Sequence, residues 1–253
     1  MKYLNALNII NGVGPQKMRR LLGFFGESER IWKADLADLK SSKIGDSIAE
    51  KIVRERKNIN PDEEWEKLQK ENIQMITSDQ PEYPQLLKEI SHPPFLLYLK
   101  SHLPLEEMFN MAPMVSIVGS RKFTSYGSQA AHVLARELAS AGITIVSGMA
   151  IGIDSVAHRS TLDKQGQTVA VLGNSLDDAH IYPRVNFNLS REIMDSGALV
   201  SDYPIATSAS EFTFPARNRI IAGLSLGTLV VEAGEKSGAL ITAELALEFN
   251  REV

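Results

Sequence analysis

The chain has 253 residues, 43% of them hydrophobic, a formal net charge of −4 and no cysteine. That length carries one large domain or two modest ones, and the composition excludes a disulfide framework, a thiolate zinc site and a cysteine nucleophile. No apolar run approaches the roughly 18–20 residues of a membrane span and the start lacks a signal-peptide pattern, so a cytoplasmic protein with no membrane partner is expected.

Charge is unevenly placed. Residues 1–60 hold 12 Lys and Arg against 7 Asp and Glu, a balance of +5 that leaves −9 for the remainder. A basic front end suits a polyanion, and a solvated helical surface gives the same count. From Leu4 to Lys57 apolar residues recur at helical spacing, among them Leu21, Phe25, Ile31, Leu39, Ile48 and Ile52, which predicts a small all-α domain over residues 1–60. Within it, Asn11-Gly12-Val13-Gly14-Pro15 reads as a tight turn ahead of a helix carrying Lys17, Arg19 and Arg20. A glycine, apolar, glycine turn between helices resembles the helix-hairpin-helix (SAM-like) family, in which turn amides grip a DNA phosphate. The resemblance implies duplex contact through Gly12, Gly14 and Lys17; a plain helix–turn–helix corner explains the same glycines through backbone freedom.

Residues 61–110 read as a connector packing on the main domain. Pro61–Asn72 is a charged helical stretch, prolines at 81, 84, 93, 94 and 104 break any continuous helix, and Phe95–Leu99 is a short apolar run suited to an edge strand. From Met111 the pattern turns regular, with strands predicted at 114–118, 143–147, 168–172, 198–201 and 227–232. Between and after them, helices are predicted at 126–141, 153–165, 185–196, 216–224 and 240–250. This alternation implies right-handed crossovers and an α/β fold, a Rossmann-like doubly wound parallel sheet over residues 111–253. At Asn250–Val253 the alternation calls for another strand, so a domain truncated at its C-terminal end is expected.

Three turns in this region favour anions. Gly119-Ser120-Arg121, Ser147–Gly152 and Lys236-Ser237-Gly238 each follow an apolar run and precede a helix. In an open parallel sheet they emerge along one crevice at the carboxyl ends of the strands, where helix-start amides and small residues seat phosphates. Arg121, Arg184, Arg217, Arg219 and Lys236 arrive there from separate crossovers, and planar guanidinium forks suit phosphate oxygens. At about 100° per residue Arg217 and Arg219 lie roughly 200° apart on a helix, so one of them is expected in a structural ion pair with Glu232 or Asp154. Arg121 and Arg217 are the preferred ligand contacts.

Other chemistries fit less well. The first turn lacks Gly-x-Gly-x-x-Gly and no acidic residue ends the second strand, which argues against NAD or FAD; a P-loop is also missing, and no cofactor is expected. Asp154 and His158 stand at i and i+4 and suit an acid/base pair, but a helix cap with a packed histidine neighbour is the favoured reading. The remaining histidines are scattered, with no metal-ligand spacing.

Ser116–Arg121, Val146–Asp154, Phe214–Leu224 and Lys236–Thr242, in this order and spacing, closely resemble the DNA-processing protein A (DprA/Smf) family over residues 75–253. The resemblance implies a non-catalytic accessory factor that binds and protects incoming single-stranded DNA as a homodimer and loads RecA recombinase during natural transformation. Carried over residue by residue, it implies strand contacts at Gly119, Ser120, Arg121, Arg184, Arg217, Lys236, Ser237 and Gly238, and Gly148 and Arg219 complete the candidate DNA-binding set. Asp177, Asp178 and Glu211 stand where relatives carry a stacking aromatic or a lysine, and His180 is the candidate stacking surface in their place. The alternative is a nucleotide phosphoribohydrolase resembling the lysine-decarboxylase-like family. Its Pro-Gly-Gly-x-Gly-Thr turn is absent, replaced here by Glu232–Gly238.

Overall fold

The computed structural model describes residues 1–104, Phe109 and 112–253. The rest of the predicted connector and Met111, the first residue of the predicted main domain, lie outside the described residues.

Six helices open the chain: α1 (Lys2–Ile9), α2 (Pro15–Phe25), α3 (Ser28–Lys33), α4 (Leu36–Ser41), α5 (Asp46–Glu55) and α6 (Pro61–Lys70). Their ends follow local chemistry. Gly12 turns the chain at φ 97°, Pro15 then starts α2 at a position needing no N–H, and Gly26 stops it at φ 78° while donating to Leu22 O. Asp35 caps α4 by accepting from Asp38 N at 2.8 Å. α6 has Asn60 as its cap, Pro61 next, acids in its first turn and lysines in its last, each set matched to the helix dipole. The apolar stripes of these helices do not close on themselves. Leu7, Met18, Leu21, Ile31, Leu39, Ile52 and Leu68 share one buried cluster with Met75, Tyr98, Ala170 and Leu199 of the sheet.

The sheet has seven strands in the order β1-β2-β6-β5-β4-β3-β7. β1 (Gln74–Thr77) and β2 (Leu96–Lys100) pair antiparallel with each other, and β2 pairs antiparallel with β6. Phe95–Leu99, expected to form an edge strand, is therefore interior. The short run at 74–77, which carries no alternation of its own, takes the edge instead. β3 (Met114–Gly119), β4 (Thr144–Ser147), β5 (Thr168–Val171), β6 (Gly197–Ser201) and β7 (Gly227–Val231) form the parallel part. Each begins and ends close to its predicted bounds because strands covered on both faces read as unbroken apolar runs.

α7 (Gln85–Lys88), α11 (Thr213–Leu224) and α12 (Gly238–Glu248) cover the face carrying Val118, Val146, Val169, Val171 and Val200. α8 (Ser125–Ser140) and α9 (Ile153–Leu162) cover Ile117 and Ile145 on the other, where Ala131, Ala135 and Ala157 permit close packing. α10 (Phe187–Ser196) shares that second face with the front helices. The sheet is thus doubly wound, as the alternation predicted. Past α12, Thr228 N donates to Glu252 O at 2.8 Å and Glu252 lies in a parallel bridge with Gly227, so the last residues start along the outer side of β7.

A polar tie anchors the front helices to the sheet: the Tyr98 hydroxyl donates to Asn5 Oδ1 at 2.7 Å and accepts from Asn8 Nδ2 at 3.1 Å, and Asn5 is fully buried. Tyr98→Phe leaves that buried amide without its partner and is expected to cost about 1–3 kcal/mol. A lowered urea midpoint at unchanged m-value checks this; an unchanged midpoint refutes it.

Candidate nucleic-acid interface

β3 has β4 on one side and β7 on the other, so the crossovers leave it in opposite directions and open a crevice at its carboxyl end. Close backbone approach dictates the residues there. A Cβ on Gly119 would stand 2.0 Å from Val231 O. Ser120 N donates to Glu232 O at 2.8 Å, and the Glu232 carboxylate accepts from Thr124 N and Thr124 Oγ1 at 2.9 and 2.8 Å. Thr124 in turn caps α8 through Gly127 N, and Gly127 has no room for a side chain because Glu232 Oε2 occupies it. Glu232, weighed in the sequence as an ion-pair partner for Arg217 or Arg219, instead grips the turn that carries Arg121 and Lys122.

The second turn docks on the first. Gly152, at φ 105°, brings its Cα against Ser120 O so closely that a Cβ would sit 2.3 Å from that oxygen, and Ile153 N donates to the same carbonyl at 3.2 Å. Asp154 does not cap its own helix, as the favoured sequence reading had it; it reaches back to accept from Gly148 N and Ala150 N at 3.1 and 3.3 Å. Those two amides, expected to face an anion, are therefore occupied by an internal carboxylate. The acid/base alternative also finds no support, because His158 is 0% exposed. Thr168 Oγ1 donates to Ile145 O and so accepts from His158 Nδ1, and burial with the nearby Arg217 charge lowers the imidazole pKa to about 3.

Beneath the crevice lies Arg217, 5% exposed. Its Nη1 donates to Gly148 O at 2.9 Å and to Val171 O, and Gly148 must be glycine because a Cβ would meet the guanidinium at 2.6 Å. Burial pulls the Arg217 pKa down to about 10 against the pull of Asp154, leaving it charged at neutral pH. Burial likewise raises the Asp154 pKa, opposed first by Arg217 and then by the Ala150 and Gly148 amides. Arg217 is thus a strut for two turns, with its edge forming the crevice floor. The third turn comes from β7: Ser237 caps α12 through Ala239 N, Asn218 Nδ2 donates to Gly238 O at 3.2 Å, and Lys236 is exposed.

These elements enclose an open cleft of about 750 Å³ lined by Gly119, Ser120, Arg121, Lys236, Ser237 and Gly238, with Arg217 at its floor. Seven of the ten candidate DNA-binding residues therefore meet in one place. The sequence profile of the DNA recombination-mediator protein A family matches residues 74–253. The chain belongs to that family. It is 45% identical over 252 residues to protein Smf of Synechocystis, which covers 99% of this chain and 63% of that protein. With DNA processing protein DprA of Bacillus subtilis it shares 40% identity over 183 residues, 72% of this chain and 60% of the relative. The chain thus spans about six tenths of the length of these two curated relatives. The crystal structure of DprA from Streptococcus pneumoniae superposes with a TM-score of 0.82 at 30% identity, covering 99% of this chain and 84% of that one. A DprA structure from Helicobacter pylori, described for its single-stranded DNA binding mode, aligns with a TM-score of 0.62 at 32% identity over 70% of this chain and 78% of that one.

The other candidates of this family member stand around the cleft or away from it. Gly148 closes a smaller recess beside Arg121 and Arg217. Arg184 is exposed on the next lobe, its guanidinium 4.2 Å from the Phe187 ring centroid and donating to Asp178 O at 2.6 Å. Arg219 leaves α11 on another side and pairs with Asp202 at 2.5 Å, so the 200° separation holds and this arginine lies outside the cleft. His180 is not the stacking surface the sequence suggested: its Nδ1 is bonded to Asp177, whose carboxyl lies below the usual range because hydrogen bonds from Ser175, His180 and Ala206 outweigh its burial. Asp178 accepts from buried Lys100 at 2.9 Å and from Arg191, so both acids of this loop are internal fasteners. The aromatic surface at the cleft, which the sequence reading missed, is Phe214 at 5.7 Å from the ring of Tyr182, with the Arg121 guanidinium 5.4 Å from Phe214. Its signal in the sequence is the Phe214-Pro215-Ala216-Arg217 segment in the first turn of α11. Among the described residues no cluster of three or more His, Asp or Glu is arranged for a metal.

Burial of neutral His158 makes stability pH-dependent. Its folded pKa lies below the unfolded value of about 6.5, so its contribution is fully present above pH 6.5 and is lost as pH falls toward 3, with a slope of up to about 1.4 kcal/mol per pH unit. His158→Gln is expected to flatten the fall in denaturation midpoint between pH 6.5 and 4; an unchanged pH profile would contradict this.

Proposed function

We propose that this chain is a cytoplasmic, non-catalytic accessory factor that binds single-stranded DNA in the cleft at the carboxyl ends of β3 and β7, protects it, and as a homodimer loads RecA recombinase onto it during natural transformation. The observation that carries the reading is the charge state of the cleft mouth. Arg121, Lys122 and Lys236 are exposed and take part in none of the ion pairs among the described residues, within a segment whose net balance is negative. Membership of the DNA recombination-mediator family and the likeness to a DprA described for its single-strand binding mode support it.

The arrangement suits a single strand. Phosphates have the Arg121 and Lys236 side chains to meet, with Gly119, Ser120, Ser237 and Gly238 leaving room for close approach, and the Tyr182–Phe214 pair offers a sequence-tolerant stacking surface beside them. Of the acid/base pair weighed in the sequence, His158 is closed off from the cleft by full burial and the Asp154 carboxylate is held by the Gly148 and Ala150 amides.

Two variants separate the two kinds of contact. Arg121→Ala is expected to weaken binding roughly tenfold for every oligonucleotide sequence and to reduce the slope of log affinity against log salt by about 0.7. Phe214→Ala is expected to lose about 1–3 kcal/mol with the slope unchanged. Titration of fluorescent oligonucleotides at several salt concentrations reads both; full affinity and slope in Arg121→Ala would remove the cleft from the account.

A further inference from the structure

Gly12, Gly14 and Lys17 line a cavity of their own, and none of them reaches the cleft. The groove that adjoins the cleft lies between α8 and α9. It has a volume of about 460 Å³ and is lined by Phe123, Ser125, Ser128, Gln129, His132 and Val156, with no carboxylate among them. Lys122 lines the cleft and Phe123 the groove, so the two spaces share one rim. Phe123 is 41% exposed and belongs to none of the buried apolar clusters. Its backbone is pinned on both sides: Lys122 N donates to Ser120 Oγ at 3.0 Å, and Thr124 N donates to the Glu232 carboxylate at 2.9 Å. An aromatic side chain held at the surface in this way offers a large contact area with little backbone freedom left to lose.

The polar groups of the groove are open. Ser41, Ser140 and Thr161 turn their hydroxyls back to the carbonyl four residues earlier, whereas the side chains of Ser125, Ser128 and Gln129 make no hydrogen bond among the described residues. His132 Nδ1 is bonded to Ser160 Oγ at 2.9 Å, which fixes the ring and leaves Nε2 without a protein partner among the described residues. Arg136 follows His132 at i+4 on the same face of α8, and neither it nor Lys122 joins an ion pair among the described residues. Glu137, the one acid of α8, is turned about 100° from Arg136, and Asp163 stands past the end of α9, about 10 Å along the axis from Val156. Asp154, the one acid within α9, is taken by the Gly148 and Ala150 amides.

We propose that this groove is a second nucleotide subsite for the strand held in the main cleft: the DNA passes over Lys122, stacks a base on Phe123 and sets the adjoining sugar and phosphate against Ser128, Gln129 and His132. The proposal rests on the DNA-binding reading above. Ring stacking and hydrogen bonds to a sugar–phosphate are indifferent to base identity, so the subsite adds length dependence without sequence preference.

Phe123→Ala and Gln129→Glu, made in the whole chain, test it with two lengths of oligothymidine, about 5 nucleotides to fill the cleft and about 15 to run beyond it. Both side chains are exposed and outside the buried clusters, so the melting temperature should hold. Phe123→Ala should bind the longer strand about five- to thirtyfold more weakly and the shorter strand as the parent does. Gln129→Glu should weaken the longer strand most at low salt, because the repulsion it adds is screened. Unchanged affinity for the longer strand in both variants overturns the proposal, and so does an equal loss at both lengths, which would put Phe123 in the cleft itself. If both variants keep their affinity and instead shift the sedimentation of the free protein, the groove is a contact between two copies and the subsite is refuted. Arg121→Ala, measured alongside, should weaken both lengths. Full affinity there with a length-selective loss in Phe123→Ala removes the cleft and leaves the groove; the reverse removes the groove alone.

Discussion

The crevice rests on two buried opposite charges, Arg217 and Asp154, which favour each other's charged form through the field between them without forming an ion pair. Desolvating either ion costs several kcal/mol, and hydrogen bonds to the backbone offset part of that cost. Arg217 is held by the carbonyls of Gly148 and Val171, and Asp154 by the amides of Gly148 and Ala150. The turn after β4 is therefore held from both sides. Since Gly152 and Ile153 also press on Ser120 O, the same lock reaches the turn after β3. Preorganisation follows: the exposed cations stand on backbone that cannot relax toward them.

Acids near the cleft serve the same end. Glu232 seizes Thr124, Asp177 gathers Ser175, His180 and Ala206, and Asp178 joins Lys100, Arg191 and the backbone contact from Arg184. These three carboxylates are engaged in holding loops, and Glu211 is the exposed acid that remains on the cleft lining. A segment with a net balance of −9 can in this way present a locally positive mouth, and the sign of the total charge is a poor guide to its ligand.

Legibility differed by element. The parallel strands and their helices were readable because each strand is a short apolar run covered on both faces and the segments between them have helical length. β1 was not, since four residues, Gln74–Thr77, gain their identity only by pairing with β2. β2 read as an edge because it is a short apolar run closing a proline-rich segment; its last residue, Lys100, is made compatible with the interior by Glu71 and Asp178, which are remote in sequence. The front helices read correctly as helices, but nothing in their spacing said that their apolar faces belong to the same core as Tyr98 and Leu199.

At the site the division is similar. Residue order alone determined the placement of the strand–turn–helix units, the divergence of Arg217 from Arg219 and the family. Only the tertiary structure decided which charges are free: Arg121 and Lys236 join no ion pair among the described residues, Arg217 is a strut, Arg219 is paired with Asp202, and the aromatic pair at the cleft is Tyr182–Phe214 with His180 tied to Asp177. The physical reason is that local geometry follows from neighbours in sequence, whereas the state of a charge depends on whatever the folded chain brings within a few ångströms of it.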